Sequence, residues 1–190
     1  MRRITIDIET TNAAIGGAFD PSTMNLTVAC IHDTETDLFT SYEVEELPKL
    51  WPILERADLI VGYNSDHFDI PILNRYYAGD LSKIRSLDLL VEIKNVLGRR
   101  IKLDSVASGT LGKKKSGNGL DAIKWWNEGK KDKVIKYCID DVRITKDIYE
   151  YALKNGKITY SDFGKKKDIT LDTSGWESAK SASITHTLPF

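Results

Sequence analysis

Arg3 to Glu9 alternates, with Ile4, Ile6 and Ile8 on one face, and predicts a strand. Residues 10–23 are small, Gly-containing and turn-like. Leu26 to His32 predicts a second strand. Asp33 to Asp37 predicts a turn, and Leu38 to Val44 a third strand, which together make an antiparallel meander. Leu47 to Ala57 has helical spacing, confined and open to a kink at Pro48 and Pro52. Leu59-Ile60-Val61 is wholly apolar, as in a buried parallel strand. A turn at Asn64-Ser65-Asp66 leads to a helix over Phe68–Tyr77, with Ser65 or Asp66 as its cap and Pro71 in its first turn. A short strand near Ile84–Ser86, a helix over Leu89–Leu97 and a small helix over Leu103–Leu111 follow. Residues 112–119 form a basic glycine loop, Gly119–Asn127 a short helix and Asp132–Lys154 the longest one. The last carries Ile135, Cys138, Val142, Tyr149 and Ala152 along one stripe. Lys157–Tyr160 and Asp168–Asp172 predict a hairpin around Gly164. Residues 173–190, rich in Ser, Thr and Ala, are expected to be poorly ordered. Three strands followed by strand–helix alternation predict an α/β layered fold with a mixed central sheet flanked by helices. The expected division is a domain over residues 1–155 and a C-terminal extension over 156–190.

A chain of 190 residues, 41% hydrophobic and 29% charged, suits one globular domain and excludes wholesale disorder. No apolar run approaches the roughly 20 residues of a membrane helix, so no membrane partner is expected. The opening Met-Arg-Arg-Ile-Thr-Ile-Asp does not read as a signal peptide. Cys30 and Cys138 read as core thiols of a reducing compartment, and a cytoplasmic location is expected. The net charge of −1 conceals a polarity. Residues 1–93 carry 7 basic and 16 acidic side chains, and residues 94–136 carry 12 and 4. Such a division is open to two readings: solvated helix faces, or an acidic metal-binding centre beside a basic surface for phosphates.

Three acidic positions bear on that choice. Asp7 and Glu9 share one face of the first strand, opposite Ile6 and Ile8. In a sheet covered on both sides that face is a buried or cleft-like layer, where two carboxylates repel unless a hard dication joins them. At a sheet edge they would simply face water. Asp69 follows the turn after the apolar strand, where ligands gather in open α/β sheets; it also suits the dipole of a helix start. His67 beside it reads as a turn residue. Tyr137 and Asp141 lie at i and i+4 on the long helix, with Asp141 bordering the apolar stripe, where a charged residue needs a partner. Asp140 points about 100° away, toward solvent.

Asp-x-Glu on a first strand, Asn-x-x-x-Phe-Asp after an inner strand and Tyr-x-x-x-Asp on a late helix resemble, in that order, the DEDD superfamily of 3′–5′ exonucleases. These have a ribonuclease H-like fold, and the Tyr-x-x-x-Asp form marks the DEDDy (DnaQ-like) branch. Gly62 to Leu73 is similar to the second exonuclease motif of family B DNA polymerase proofreading domains. Gly119 to Tyr151 resembles YprB-type ribonuclease H-like domains. The resemblance covers about residues 1–155.

The resemblance implies that Asp7, Glu9, Asp69 and Asp141 hold two divalent cations, Mg²⁺ or Mn²⁺. Two such ions clamp the attacking and leaving oxygens of an in-line displacement. It also implies that Tyr137 orients the attacking water; a phenol with a pKa near 10 is a poor base at neutral pH. Thr10 and Asn64 are candidates to hold the terminal nucleotide, and Phe68 to stack on a base or fill the core. Lys113, Lys114 and Lys115, with Lys130, Lys131 and Lys133, are candidates to track phosphates. One of Trp125 and Trp126 is a stacking candidate, and packing against the long helix is the other use for the pair. The expected activity is release of 5′-mononucleotides from the 3′ end of a single strand, DNA favoured over RNA. A polymerase or helicase is a possible partner. The alternatives are a catalytically silent 3′-end-binding or accessory module and an endonuclease on the same fold.

Overall fold

The computed structural model describes residues 1–12, 19–113 and 117–178. Expectations for Lys114, Lys115 and residues 179–190 lie outside the described residues.

The three N-terminal strands form as their alternation predicts: β1 (Arg3–Thr10), β2 (Leu26–Asp33) and β3 (Leu38–Glu43). They pair antiparallel, with Asp7 opposite Cys30 and Cys30 opposite Ser41. β4 (Leu59–Gly62) and β5 (Ser86–Asp88) add in parallel on the other side of β1. The five strands run in the order β3-β2-β1-β4-β5. β2 is buried along its whole length because its neighbours and both helical layers cover it.

Two apolar layers sandwich the sheet. Ile4, Ile6 and Ile8 pack with Ile60, with Leu47, Leu50 and Leu54 of α1 (Leu47–Glu55), and with Ile70, Ile72 and Leu73 of α2 (Asp69–Leu73). The opposite face buries Val28 and Cys30 against Ala122 of α5 (Gly119–Asn127) and against Val134, Cys138 and Val142 of α6 (Lys131–Asn155). Leu59 and Val61 of β4 extend that face to α3 (Leu89–Leu97), α4 (Leu103–Val106) and the distal half of α6. Cys30 and Cys138 are buried free thiols, and the Cys138 thiol donates to the Asp7 carbonyl at 3.3 Å. Among the described residues, no helix is long and apolar enough to cross a membrane.

Several local expectations change. The helix predicted over Phe68–Tyr77 closes at Leu73. The Arg75 and Tyr76 amides turn back to Ile72 and Leu73, and Asn74 caps the Leu81 amide at 2.8 Å. Neither Ser65 nor Asp66 caps α2 with its side chain; the Ile70 amide donates to the Ser65 carbonyl instead. The fifth strand lies at Ser86–Asp88, two residues later than read. The small helix over 103–111 divides into α4 and a π-helical turn, Ala107–Leu111.

A hairpin of β6 (Lys157–Asp162) and β7 (Lys165–Thr170) follows α6. Ile158, Tyr160 and Ile169 join the core of α3, α4 and α6. The hairpin approaches the π turn closely enough that a Cβ at Gly109 would stand 2.4 Å from the Thr159 carbonyl oxygen. Residues 173–178 do not behave as a loose tail. Trp176 is buried, its ring stacks 5.4 Å from Tyr149, and its indole N–H donates to Glu92 at 3.2 Å. Arg85 donates to the carbonyls of Gly175, Trp176 and Ser178. One large aromatic in a Ser/Thr-rich stretch anchors it, a contribution that composition averages away.

Candidate active site

β1 pairs with β4 only as far as Thr5 opposite Val61, so Asp7 to Thr10 project beyond the carboxyl end of β4. A register shift between Glu9 and Thr10 bends this stretch, as bulges beside sites often do. Asp7 and Glu9 turn from the Ile6–Ile8 layer to the face covered by α6. There they meet Asp141: one carboxylate oxygen from each residue lies within 4.8 Å of the other two. Glu9 and Asp141 are buried and Asp7 is half-buried. Tyr137, one helical turn before Asp141, is buried edge-on to Trp125, with ring centroids 6.0 Å apart.

Asp69 is buried beside this trio but outside it. Its carboxylate accepts the Ile8 amide at 3.0 Å, a donor that β4 ends too early to satisfy. Burial, then the charge of Asp88, pushes the Asp69 carboxyl up to about 8; Asp141 adds to this while the Ile8 amide opposes it. Burial and then the charges of Asp141, Glu9 and Asp7 raise the Tyr137 phenol far above its ordinary value. All donors in the trio are carboxylate oxygens, and the surrounding groups resist further negative charge. Such a set fits a hard, oxygen-seeking dication, which favours ionised carboxylates and offsets their repulsion.

Asp88 escaped the sequence reading because the fifth strand was placed two residues early. It ends β5 beside Gly62 and caps α3, accepting the Leu90 amide at 2.8 Å. It also accepts the amides of Asn64 at 2.7 Å and Asp66 at 3.1 Å, fixing the turn that leads to Asp69. An acid directly before the apolar Leu89-Leu90 start of a helix was the available signal. Asn64 takes φ 68°, a left-handed conformation asparagine tolerates better than most residues, and its side-chain oxygen accepts from Arg100 at 2.6 Å.

Two adjoining clefts open nearby, one reaching Tyr137 and the other Glu9. One, of about 700 Å³, is lined by Tyr63, Asn64, Arg100, Lys102 and Tyr137. The other, of about 590 Å³, is lined by Glu9, Thr10, Met24, Phe68 and Ile123. Lys102, Asn118 and Gly119 form part of both walls. Thr10 is buried and donates to the Asn12 carbonyl at 2.8 Å. Phe68 is half-buried with its ring 5.3 Å from Phe19, so it is at once core and cleft wall. Exposed His67 packs on the same Phe19 ring. Trp125 and Trp126 are both partly buried against α6.

The basic candidates divide. Lys113 is not in the walls of either cleft and pairs with Asp147 at 2.7 Å. Lys114 and Lys115 lie outside the described residues. Lys130 pairs with Glu128 and Lys131 with Glu43, while the Lys133 ammonium lies 6.0 Å from the centre of the Trp125 ring. Arg100 and Lys102, which the sequence reading did not single out, are the cations in the cleft walls among the described residues.

Antiparallel and parallel halves on one sheet, with carboxylates at the carboxyl ends of its inner strands, define a ribonuclease H-like α/β fold. The model of the RNase H superfamily matches residues 4–153, and the chain belongs to that family. In structure it is similar to the family B DNA polymerase from the hyperthermophilic archaeon Pyrobaculum calidifontis, with a TM-score of 0.62 and 22% identity. That match covers 80% of this chain and 24% of the polymerase, so the chain spans about a quarter of its length. The likeness is one of fold. No curated protein matches by sequence.

Proposed function

We propose that the protein is a DEDDy-type 3′–5′ exonuclease that hydrolyses the terminal phosphodiester of a single strand and releases 5′-mononucleotides, using two divalent cations, Mg²⁺ or Mn²⁺. The observation that carries this reading is the meeting of Asp7, Glu9 and Asp141, with Glu9 in the wall of one cleft and Tyr137, Arg100 and Lys102 in the wall of the adjoining one. Asp7, Glu9 and Asp141 would hold the cations, with Asp69 completing the set from behind Ile8. Bound there, the ions supply activation of the attacking water and stabilisation of the leaving oxygen.

The chain's own groups supply position. With its phenol held neutral, Tyr137 donates its hydroxyl hydrogen bond and does not abstract a proton. Arg100 and Lys102 face the phosphates next to the scissile bond, and Thr10 and Phe68 face the terminal nucleoside. Asn64 acts through the turn it builds and through Arg100. Residues 1–155 constitute the nuclease unit in this reading, with 156–190 as its extension. Similarity to a polymerase supports DNA as the preferred strand and an accessory role beside a polymerase or helicase.

The test is digestion of matched 3′-labelled and 5′-labelled single-stranded DNA and RNA in Mg²⁺, Mn²⁺ or EDTA, with Asp7→Ala as control. Mononucleotides leaving from the 3′ end, lost in EDTA and in the variant, are the expected result. Internal cuts point to an endonuclease, and binding of a 3′ end with no hydrolysis in either metal to a silent module; both overturn the proposal.

A further inference from the structure

The turn between β6 and β7 is built from a residue poorly suited to it. Asp162 pairs with Lys165, which leaves Phe163 and Gly164 as a two-residue loop. Both have positive φ, 48° and 77°. This is the type I′ arrangement, whose first central position favours Asn, Asp or Gly. Phenylalanine there carries the steric cost of left-handed backbone. Its ring also lies wholly in solvent, with 101% relative exposure. An exposed ring alone is ordinary on a protein surface, but local stability does not explain why it occupies a strained backbone position, and that combination points to contact with another molecule.

The surroundings indicate which kind. Lys165, Lys166 and Lys167 follow the tip and are exposed. Lys167 pairs with Asp162 at 2.8 Å, while Lys165 and Lys166 make no ion pair among the described residues. Arg99 donates to the Tyr160 hydroxyl at 3.2 Å, lies 5.4 Å over its ring and pairs with Asp162 at 3.4 Å, so it is fastened to the hairpin with its charge partly compensated. The next residue, Arg100, is fastened to Asn64 in the cleft wall, and Lys102 lines both clefts. A basic track therefore runs from the carboxylate clefts to the foot of the hairpin. An aromatic face beside uncompensated cations suits a single strand, whose bases stack without sequence preference and whose phosphates need neutralising.

We propose that the β6–β7 hairpin is a second nucleic-acid contact, separate from the hydrolytic site. Phe163 stacks on a base, and Lys165 and Lys166 hold phosphates, of the strand whose 3′ end occupies the cleft. The choice of ligand rests on the nuclease reading; the site itself rests on the hairpin.

The test is equilibrium binding of fluorescein-labelled 20-nucleotide single-stranded DNA and RNA to the full chain in EDTA, by anisotropy. Phe163→Asn creates the favoured Asn-Gly turn, so its Tm is expected to equal or exceed the wild-type value. Its affinity is expected to fall about tenfold, within the span of base–aromatic stacking. Phe163→Trp keeps a stacking face and is expected to keep the affinity. Removing both lysines, Lys165→Ser with Lys166→Ser, is expected to make the log affinity against log salt slope shallower by about 1.4. Unchanged affinity in Phe163→Asn overturns the proposal, as does an equal loss in Phe163→Trp. So does a wild-type chain that binds neither strand. Loss of self-association in Phe163→Asn with oligonucleotide binding intact marks the tip as a protein contact and also overturns it. Hydrolysis is scored separately. Cleavage with an idle Phe163 removes the hairpin proposal alone, and the expected binding results without cleavage remove the nuclease reading alone.

Discussion

Asp69 is a carboxyl group held where a charge is costly. Its folded-state value near 8, against an ordinary value near 4, means that the fold binds this proton more tightly than the unfolded chain does. The stability linked to that proton is fully present below about pH 4 and is lost as pH rises toward 8. In the Asp69→Asn variant an amide oxygen still accepts the Ile8 amide and no charge is buried. In EDTA at pH 8 this variant is expected to melt above wild type, with the gap closing toward pH 5. Added Mg²⁺ is expected to narrow the gap at pH 8. Melting curves across this range check it, and a gap independent of pH would sink the explanation. Tyr137→Phe keeps the ring against Trp125 and is expected to leave the Tm nearly unchanged. Activity is expected to fall roughly 10–100-fold, the value of one lost positioning hydrogen bond. Single-turnover rates check this, and full activity would remove Tyr137 from the mechanism. At this scale strand and helix periodicity put each acid of the trio on a face but left water or an ion pair as its surroundings, and only the resemblance carried by the three motifs in order joined them. Asp88 and Arg100 were not legible, because their importance lies in partners 22 to 36 residues away.

At the scale of elements, periodicity served long segments well. β1, β2, α3 and α5 stand within a residue of their expected bounds; α3 and α5 each bury one face, whereas β1 and β2 lie between two covered faces. α2 was overextended because Asn74 finds a partner in Leu81, and a tertiary hydrogen bond stops a helix that spacing alone would continue. The split of 103–111 into α4 and a π turn likewise follows from a neighbour. Thr110 uses one hydroxyl to donate to the Thr159 carbonyl at 2.7 Å and to accept its amide at 2.9 Å. The edge of β6 is thus closed by a side chain, and Gly109 lets the two backbones meet. Gly109→Ala drives a methyl into the Thr159–Tyr160 backbone and is expected to cost about 1–3 kcal/mol, the range of overpacking. Urea unfolding measures it, and an unshifted midpoint would mean that the hairpin is not seated on this turn.

For the whole molecule, the fold class was readable from strands-then-alternation, whereas the way the chain closes on itself was not. Trp176 enters a cluster that begins at Leu59 and includes Ile148 and Ile158, so the last described residues complete a core begun 117 positions earlier. Trp176→Ala is expected to cost about 3–5 kcal/mol, as for other buried tryptophans. A calorimetric scan should show one lowered transition, and two separate transitions would show that the strap and the sheet unfold independently. Glu177 pairs with Arg3 at the start of β1, and Ser178 is held by Arg85, just ahead of β5. Both arginines stand at the amino ends of parallel strands, while Asp7 and Glu9 lie toward the carboxyl end. Four residues of strand, about 13 Å, already separate Arg3 from Asp7. The described chain therefore leaves the domain from the floor beneath the sheet. A dye or a biotin carried on a cysteine put at Ser178 would therefore sit by Arg85, at the amino end of β5 and away from the carboxylates. That geometry makes this side of the domain the place for a label meant to leave the carboxylates open.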